Sequence, residues 1–132
     1  MDYARSITLD LPYEEAVGKV KEALREQGFG TLTEIDVQAT LREKLGTETE
    51  PYLIIGACNP PLAHRALEAV PTVGVFLPCN VVVRRSGGRS IVDAMDPEVM
   101  SKVIADPTLE EVAAEASRKI QAALDALSAR RA

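Results

Sequence analysis

Two stretches set the fold: Tyr52-Leu-Ile-Ile-Gly-Ala-Cys58-Asn59-Pro60-Pro61 and Val73-Gly-Val-Phe-Leu-Pro78-Cys79-Asn80. Each is an apolar run that ends in a Cys-Asn pair, and the two pairs hold every cysteine and every asparagine of the chain. Apolar runs without alternation predict strands that are covered on both faces. Between them we expect a helix over residues 61–70, with Asn59 as its N-cap and Pro60 at its first position.

The two runs and the helix between them predict a βαβ unit over residues 52–77. A crossover helix of this kind joins parallel strands and has a right-handed course. Both Cys-Asn pairs then lie at the carboxyl end of the sheet, where open α/β sheets usually bind their ligands. We therefore predict one site, with Cys58 and Cys79 close together.

The rest of the chain predicts a single α+β domain over residues 1–132. We expect a mixed sheet of about five strands, with helices packed mainly on one face and a long helix at the C-terminus. Hydrophobic periodicity places the further strands near residues 3–9, 29–36, 81–83 and 91–94, and the further helices near residues 16–24, 41–45, 100–103 and 109–127.

Composition and charge narrow the classes of partner. The 132 residues carry a formal net charge of −5, and a nucleic acid or an anionic membrane would instead favour a basic face. No apolar run approaches the roughly 20 residues of a membrane span, and the first residues have no signal-peptide pattern. We expect a cytoplasmic protein with reduced cysteines. No motif in the sequence indicates a cofactor, so we predict none.

Four segments together are similar to a known family: Gly28-Phe-Gly-Thr-Leu-Thr-Glu34-Ile-Asp36, Gly56-Ala-Cys58-Asn59-Pro60-Pro61, Leu77-Pro78-Cys79-Asn80-Val-Val-Val83 and Asp93-Ala-Met95-Asp96-Pro97. The chain resembles the family known as domain of unknown function 302, over nearly its whole length. The resemblance implies a small bacterial or archaeal α+β domain. It brings no established activity, cofactor or catalytic residue.

The first functional hypothesis is a binding site for a small ligand, such as an anion or a carboxylate. The side chains of Asn59 and Asn80 offer donors and acceptors, and a helix start offers free N–H groups. The remaining candidate ligand contacts are residues at strand ends, in turns or on the short helix: Glu34, Asp36, His64 and Asp93.

Thiol chemistry is the alternative, with Cys58 and Cys79 as the catalytic residues. A helix start lowers the pKa of a preceding thiol, and a second thiol can resolve a sulfenic acid as a disulfide. The spacing is not Cys-x-x-Cys, however, and the sequence fixes no base beside Cys58. An interaction protein with no ligand is the third hypothesis, so the sequence leaves open whether the protein is an enzyme.

The lone histidine allows two further arrangements. Cys58, His64 and Asn80 hold the residue types of a Cys-His-Asn triad, and a metal set would combine both cysteines with His64 and Asp93. Neither set has a recognised ligand spacing, so we predict no metal site.

An apolar strand also predicts self-association. The strand Val81–Val83 is apolar on both faces, and the few predicted helices already have other strands to cover. Surplus apolar surface is normally buried against a partner, most simply a second copy related by a two-fold axis. We predict a homodimer that buries part of Val81–Val83.

Overall fold

A computed structural model describes residues 2–131, without the side chains of residues 129–131. The strands are β1 (Ala4–Leu9), β2 (Gly30–Asp36), β3 (Tyr52–Cys58), β4 (Cys79–Ser86) and β5 (Arg89–Met95). The helices are α1 (Tyr13–Glu26), α2 (Val37–Leu45), α3 (Pro60–Ala69), α4 (Glu98–Val103) and α5 (Pro107–Arg131), with a 3-10 segment at Pro71–Phe76. The two terminal residues of the predicted domain lie outside the described part.

The strands form one five-stranded sheet in the order β1-β5-β4-β3-β2. Every neighbouring pair is antiparallel. The α+β class is therefore confirmed, but the predictions of a mixed sheet and of a βαβ unit over residues 52–77 are wrong.

The error lies in the second apolar run. Residues 71–76 form the 3-10 segment, and the next strand begins only at Cys79 and runs back antiparallel to β3. Val73 is fully buried in the core, so the run is apolar because it packs, not because it is a strand. Pro71 starts the short turn and Pro78 ends the irregular segment, which leaves too few extended residues for a strand.

One face of the sheet carries the helices. Helices α1 and α5 pack on each other and on the sheet, while α3 and α4 pack on α5. Alternate residues of each strand point to this layer, as in Leu53, Ile55 and Ala57 of β3, and these three side chains are buried. None of the helices within residues 2–131 has both the length and the apolar character that a membrane span needs.

The other face of the sheet has no full helical layer among the described residues, and we call it the open face. Ile54 of β3 and Val82 of β4 project from it and are half-buried. Val81 and Val83 point the opposite way and are buried beneath the helices. Of the three valines predicted at the dimer interface, Val81–Val83, only Val82 can therefore contact a partner.

Candidate functional site

An apolar pocket of about 310 Å³ opens at the end of the sheet where β3 stops and β4 starts. Its walls come from β3, α3, α4, α5 and the segment Leu77-Pro78, with Leu32 and Leu67 among the residues that line it. Both leucines are exposed, so the pocket has an apolar mouth. We call this cavity the apolar pocket.

Small side chains keep the apolar pocket open. Ala63 and Ala66 of α3 line it from one side, and Ala116 of α5 lines it from the facing helix. Because protein interiors are close-packed, larger residues at these positions would fill the space between the two helices. The pocket is therefore a consequence of where alanine occurs in two amphipathic helices.

The two cysteines meet at this pocket. In the antiparallel pairing Ala57 lies opposite Cys79, so Cys58 and Cys79 occupy the same end of neighbouring strands. This is the proximity expected from the sequence, reached by antiparallel pairing instead of a parallel crossover. Both thiols are free; Cys58 is half-buried, whereas Cys79 is only 6% exposed.

Burial changes the chemistry of one thiol. It raises the pKa of Cys79 to about 11, and the charge of the nearby Cys58 adds to the rise. At neutral pH Cys79 is therefore protonated and behaves as a small apolar side chain. The half-buried Cys58 is the thiol that reagents in solution can reach.

Asn59 holds the start of α3 in place beside the pocket through two side-chain hydrogen bonds. Its Oδ1 accepts a hydrogen bond from the Leu62 N–H at 3.4 Å, which caps α3 as predicted. Its Nδ2 donates to the Gln27 carbonyl at 3.4 Å and so ties the start of α3 to the end of α1. At Gly28, where φ is +85°, an added Cβ would come within 2.9 Å of this Nδ2. Glycine there lets the two helix ends approach.

The start of α3 offers no anion site, contrary to expectation. Pro60 and Pro61 have no N–H, and the Leu62 N–H is used by the Asn59 side chain. The Ala63 N–H donates to the Asn59 carbonyl at 2.9 Å, as in an ordinary helical turn. The two prolines therefore remove N–H groups that a helix start would otherwise offer to an anion.

Asn80 does not join the site. Successive side chains of a strand point to opposite faces, so Cys79 faces the helices and Asn80 faces the open face. There Asn80 lines a wide groove of about 720 Å³. The prediction that both Cys-Asn pairs form one site is therefore wrong for Asn80.

Asp93 also lies in this groove, on the far side of the sheet from the pocket. It accepts hydrogen bonds from Arg84 at 2.7 Å and from Ser6 at 2.6 Å. Its carboxylate is therefore neutralised by a cross-strand ion pair, not presented to a ligand of the apolar pocket.

The other predicted contacts lie elsewhere. Asp36 caps α2 by accepting from Ala39 N–H at 2.9 Å, and it lies five residues along β3 from the Cys58 end, about 16 Å away. Glu34 pairs with Lys21 at 2.7 Å. The His64 side chain is 73% exposed and lies 3.6 Å from Glu68. Neither the Cys-His-Asn triad nor the four-residue metal set is formed.

Sequence reasoning missed the residues that α4 and α5 contribute, including Met100, Val112 and Ala116. Their helical spacing marks them as buried, but spacing alone does not say which end of the sheet a helix crosses. Within the described residues, no three His, Cys, Asp or Glu side chains come together as a metal cluster.

Fold and site together define a small two-layer α+β domain with an apolar pocket at one end of its sheet. The chain belongs to the family Domain of unknown function DUF302, which matches residues 5–127. It is similar to the uncharacterized conserved protein DUF302 from Bacillus stearothermophilus, with a TM-score of 0.87 and 30% identity over 95% of this chain and 98% of that chain. No curated protein matches the chain. The resemblance read from the sequence is confirmed.

The two thiols should react very differently. At pH 8 a thiol with the pKa of Cys79, about 11, is ionised in about one molecule in a thousand, and it is also buried. We expect iodoacetamide to modify Cys58 first, while the rate at Cys79 rises about tenfold per pH unit between pH 7 and 9. Peptide mass spectrometry after timed quenching, with Cys58→Ser and Cys79→Ser proteins as references, measures both rates. Equal rates in the folded protein would contradict the assignment.

Proposed function

We propose that the protein binds a small, mainly apolar ligand in the apolar pocket and acts as a homodimer. The observation that carries the proposal is the pocket itself. At about 310 Å³ it lies at the lower end of the range of small-molecule sites, which are concave and mostly apolar. The exposed Leu32 and Leu67 at its mouth give such a ligand an apolar way in.

The side chains that line the apolar pocket determine which class of ligand it can bind. No charged side chain among the described residues lines the pocket. Its polar side chain, Asn59, already bonds Leu62 and Gln27. An anion or carboxylate would lose its hydration without gaining a partner there, which costs several kcal/mol. The proposal therefore replaces the anion expected from the sequence with an apolar molecule.

Thiol catalysis has weaker support than binding. A catalytic thiol needs a base or another group that activates it. Within the described part of the chain no histidine, lysine or arginine lines the pocket, and His64 points into solvent. The raised pKa of Cys79, about 11, also makes it a poor nucleophile near neutral pH.

A fluorescence titration tests the pocket. The probe is N-phenyl-1-naphthylamine, which is uncharged and brightens in apolar surroundings. Ala63→Phe places a ring in the pocket and should weaken binding by about tenfold or more, because the probe loses the burial of at least two carbon groups. Ala69→Phe is the matched control, since Ala69 lies on the same helix but does not line the pocket.

The wild-type and Ala69→Phe proteins should bind one probe per chain. Equal affinity of Ala63→Phe and Ala69→Phe for the probe, with both proteins folded by circular dichroism, would contradict the proposed pocket. Failure of the wild type to bind would contradict an apolar ligand.

The homodimer is supported by the open face. Apolar side chains such as Ile54 and Val82 lie beside the Arg84–Asp93 pair, whose charges cancel. The chain has a net charge of −5, but this ion pair has no net charge and therefore adds little repulsion between two copies. A second copy can therefore cover the apolar side chains of both chains at once.

Replacing a residue of the open face should separate the copies. In sedimentation velocity at micromolar concentration we expect the wild type to run as a dimer and Val82→Lys to run as a monomer. Val103→Lys is the control, because Val103 is exposed on α4 and lies away from the open-face groove. A monomeric wild type, or a dimeric Val82→Lys protein, would contradict this interface.

A further inference from the structure

A second cavity of about 310 Å³ lies between α2, the loop before β3 and the neighbouring strands β3 and β4, and we call it the polar pocket. It shares no lining residue with the apolar pocket. Tyr52 and Arg84 line both the polar pocket and the groove on the open face. The polar pocket is therefore a separate cavity that adjoins the open face.

Arg84 presents part of its guanidinium group without a partner. Tyr52 of β3 lies directly opposite Arg84 of β4, so the two side chains are neighbours on the same face of the sheet. Arg84 Nε donates to Asp93 at 2.7 Å, which restrains the orientation of the group. Among the described residues neither terminal nitrogen of Arg84 has a hydrogen-bond partner. Two such nitrogens can bind a carboxylate through parallel hydrogen bonds.

Thr49 contributes a buried hydroxyl group to the polar pocket. Its Oγ1 has no hydrogen-bond partner, and no other buried side-chain oxygen or nitrogen within the described part of the chain is unpaired. The loop that carries it is anchored at both ends: Gln38 donates to the Thr49 carbonyl at 2.8 Å, and the Arg85 N–H donates to the Pro51 carbonyl at 3.0 Å. Unpaired buried hydroxyl groups are rare because they are costly, so this one indicates a bound group or a bound water.

The remaining wall of the polar pocket is apolar. Val37 and Leu41 are one helical turn apart on α2, and both line the cavity with Pro51. A ligand that fills this space therefore needs an apolar body in addition to a polar end. The volume lies at the lower end of the range for small-molecule sites.

The neighbouring charges limit the polar end to one negative charge. Arg84 pairs with Asp93, and Arg85 pairs with Glu50, so these four charges cancel. A dianion such as phosphate would be repelled by both carboxylates. A monocarboxylate brings half that charge and has the flat shape that the two terminal nitrogens of Arg84 accept.

We propose that the polar pocket binds an organic monocarboxylate. The carboxylate accepts hydrogen bonds from the terminal nitrogens of Arg84 and from the Thr49 hydroxyl, and its apolar body packs on Val37 and Leu41. The inference concerns a different cavity from the apolar pocket and does not depend on ligand binding there.

Isothermal titration calorimetry with benzoate, a monocarboxylate with an apolar ring, tests the site. The wild type should bind one benzoate per chain. Arg84→Gln should bind it about tenfold or more weakly, because hydrogen bonds to a charged group are lost. Arg89→Gln is the matched control, since Arg89 begins β5 and does not line the cavity. Benzamide, which has nearly the same shape and no charge, should also bind about tenfold or more weakly.

Thr49→Val removes the hydroxyl and leaves the Arg84–Asp93 pair intact, so it tests the site even if Arg84→Gln does not fold. It should bind benzoate about fivefold more weakly than the wild type. Thr47→Val is its control, because Thr47 is exposed in the same loop and does not line the cavity. Every variant should still bind N-phenyl-1-naphthylamine, since the apolar pocket contains none of these residues.

Three results would overturn the proposal. The first is a folded wild type that does not bind benzoate. The second is equal benzoate affinity in a variant and its control, either Arg84→Gln and Arg89→Gln or Thr49→Val and Thr47→Val; for the threonines this would mean that the hydroxyl holds only a water. The third is tighter binding of inorganic phosphate than of benzoate. A protein that binds benzoate but not N-phenyl-1-naphthylamine would contradict only the proposed function.

Discussion

Replacing Ile55 with alanine is expected to lower the free energy of unfolding by about 3 kcal/mol. Ile55 lies in β3, between β4 and β2 of the sheet, and its side chain is 0% exposed beneath the helices. The change removes three carbon groups and leaves a cavity that the surrounding sheet cannot fully close. Urea denaturation followed by circular dichroism measures the loss.

The matched control for this change is Ile35→Ala in β2. Ile35 is 49% exposed on an edge strand, so the same truncation should cost within about 1 kcal/mol. Similar losses at Ile55 and Ile35 would contradict the placement of the core on one face of the sheet.

The second large effect concerns Gly56, where an alanine should cost about 2 kcal/mol. A Cβ there would lie 2.8 Å from Pro78 Cγ and 2.5 Å from Thr33 Oγ1. The threonine side chain can rotate, but the proline ring is rigid and must move with its backbone. Because Pro78 lines the apolar pocket, Gly56→Ala should also weaken binding of the probe.

Gly30→Ala is the matched control for Gly56→Ala. Gly30 is also a strand glycine, and nothing lies within 4 Å of a Cβ added there. Its stability should change by less than about 0.5 kcal/mol, measured by the same urea denaturation. Equal stability of the two variants would contradict the close packing of Pro78 on β3.

Much of the architecture could be predicted from periodicity. The apolar stripe of the C-terminal helix and the caps at Asn59 and Asp36 each follow from local rules, and the structure confirms them. The direction of the strands could not be predicted from periodicity, because an apolar run such as residues 73–77 is equally typical of a buried strand and of a buried turn. A strand over residues 73–77 would have run parallel to β3, whereas the 3-10 segment that forms there lets the next strand run antiparallel to it.

Only part of the site could be predicted from the sequence. Cys58, Asn59 and Cys79 meet because β3 ends and the antiparallel β4 begins at the same end of the sheet. The predicted proximity holds, but the parallel crossover on which it was based is not formed. The prediction failed for Asn80 because successive side chains of a strand point to opposite faces of the sheet, and Asn80 directly follows Cys79. The spacing of Met100 marks it as buried, but only tertiary packing brings α4 to the pocket.

The central claim is that the apolar pocket, not the open face, is where a small ligand binds. Intermolecular NOEs between N-phenyl-1-naphthylamine and the methyl groups of the protein test this directly, because both surfaces carry methyl groups. We expect NOEs to the methyl groups of Ala63, Ala66 and Ala116, which line the pocket. NOEs confined to Ile54 and Val82 on the open face would contradict it.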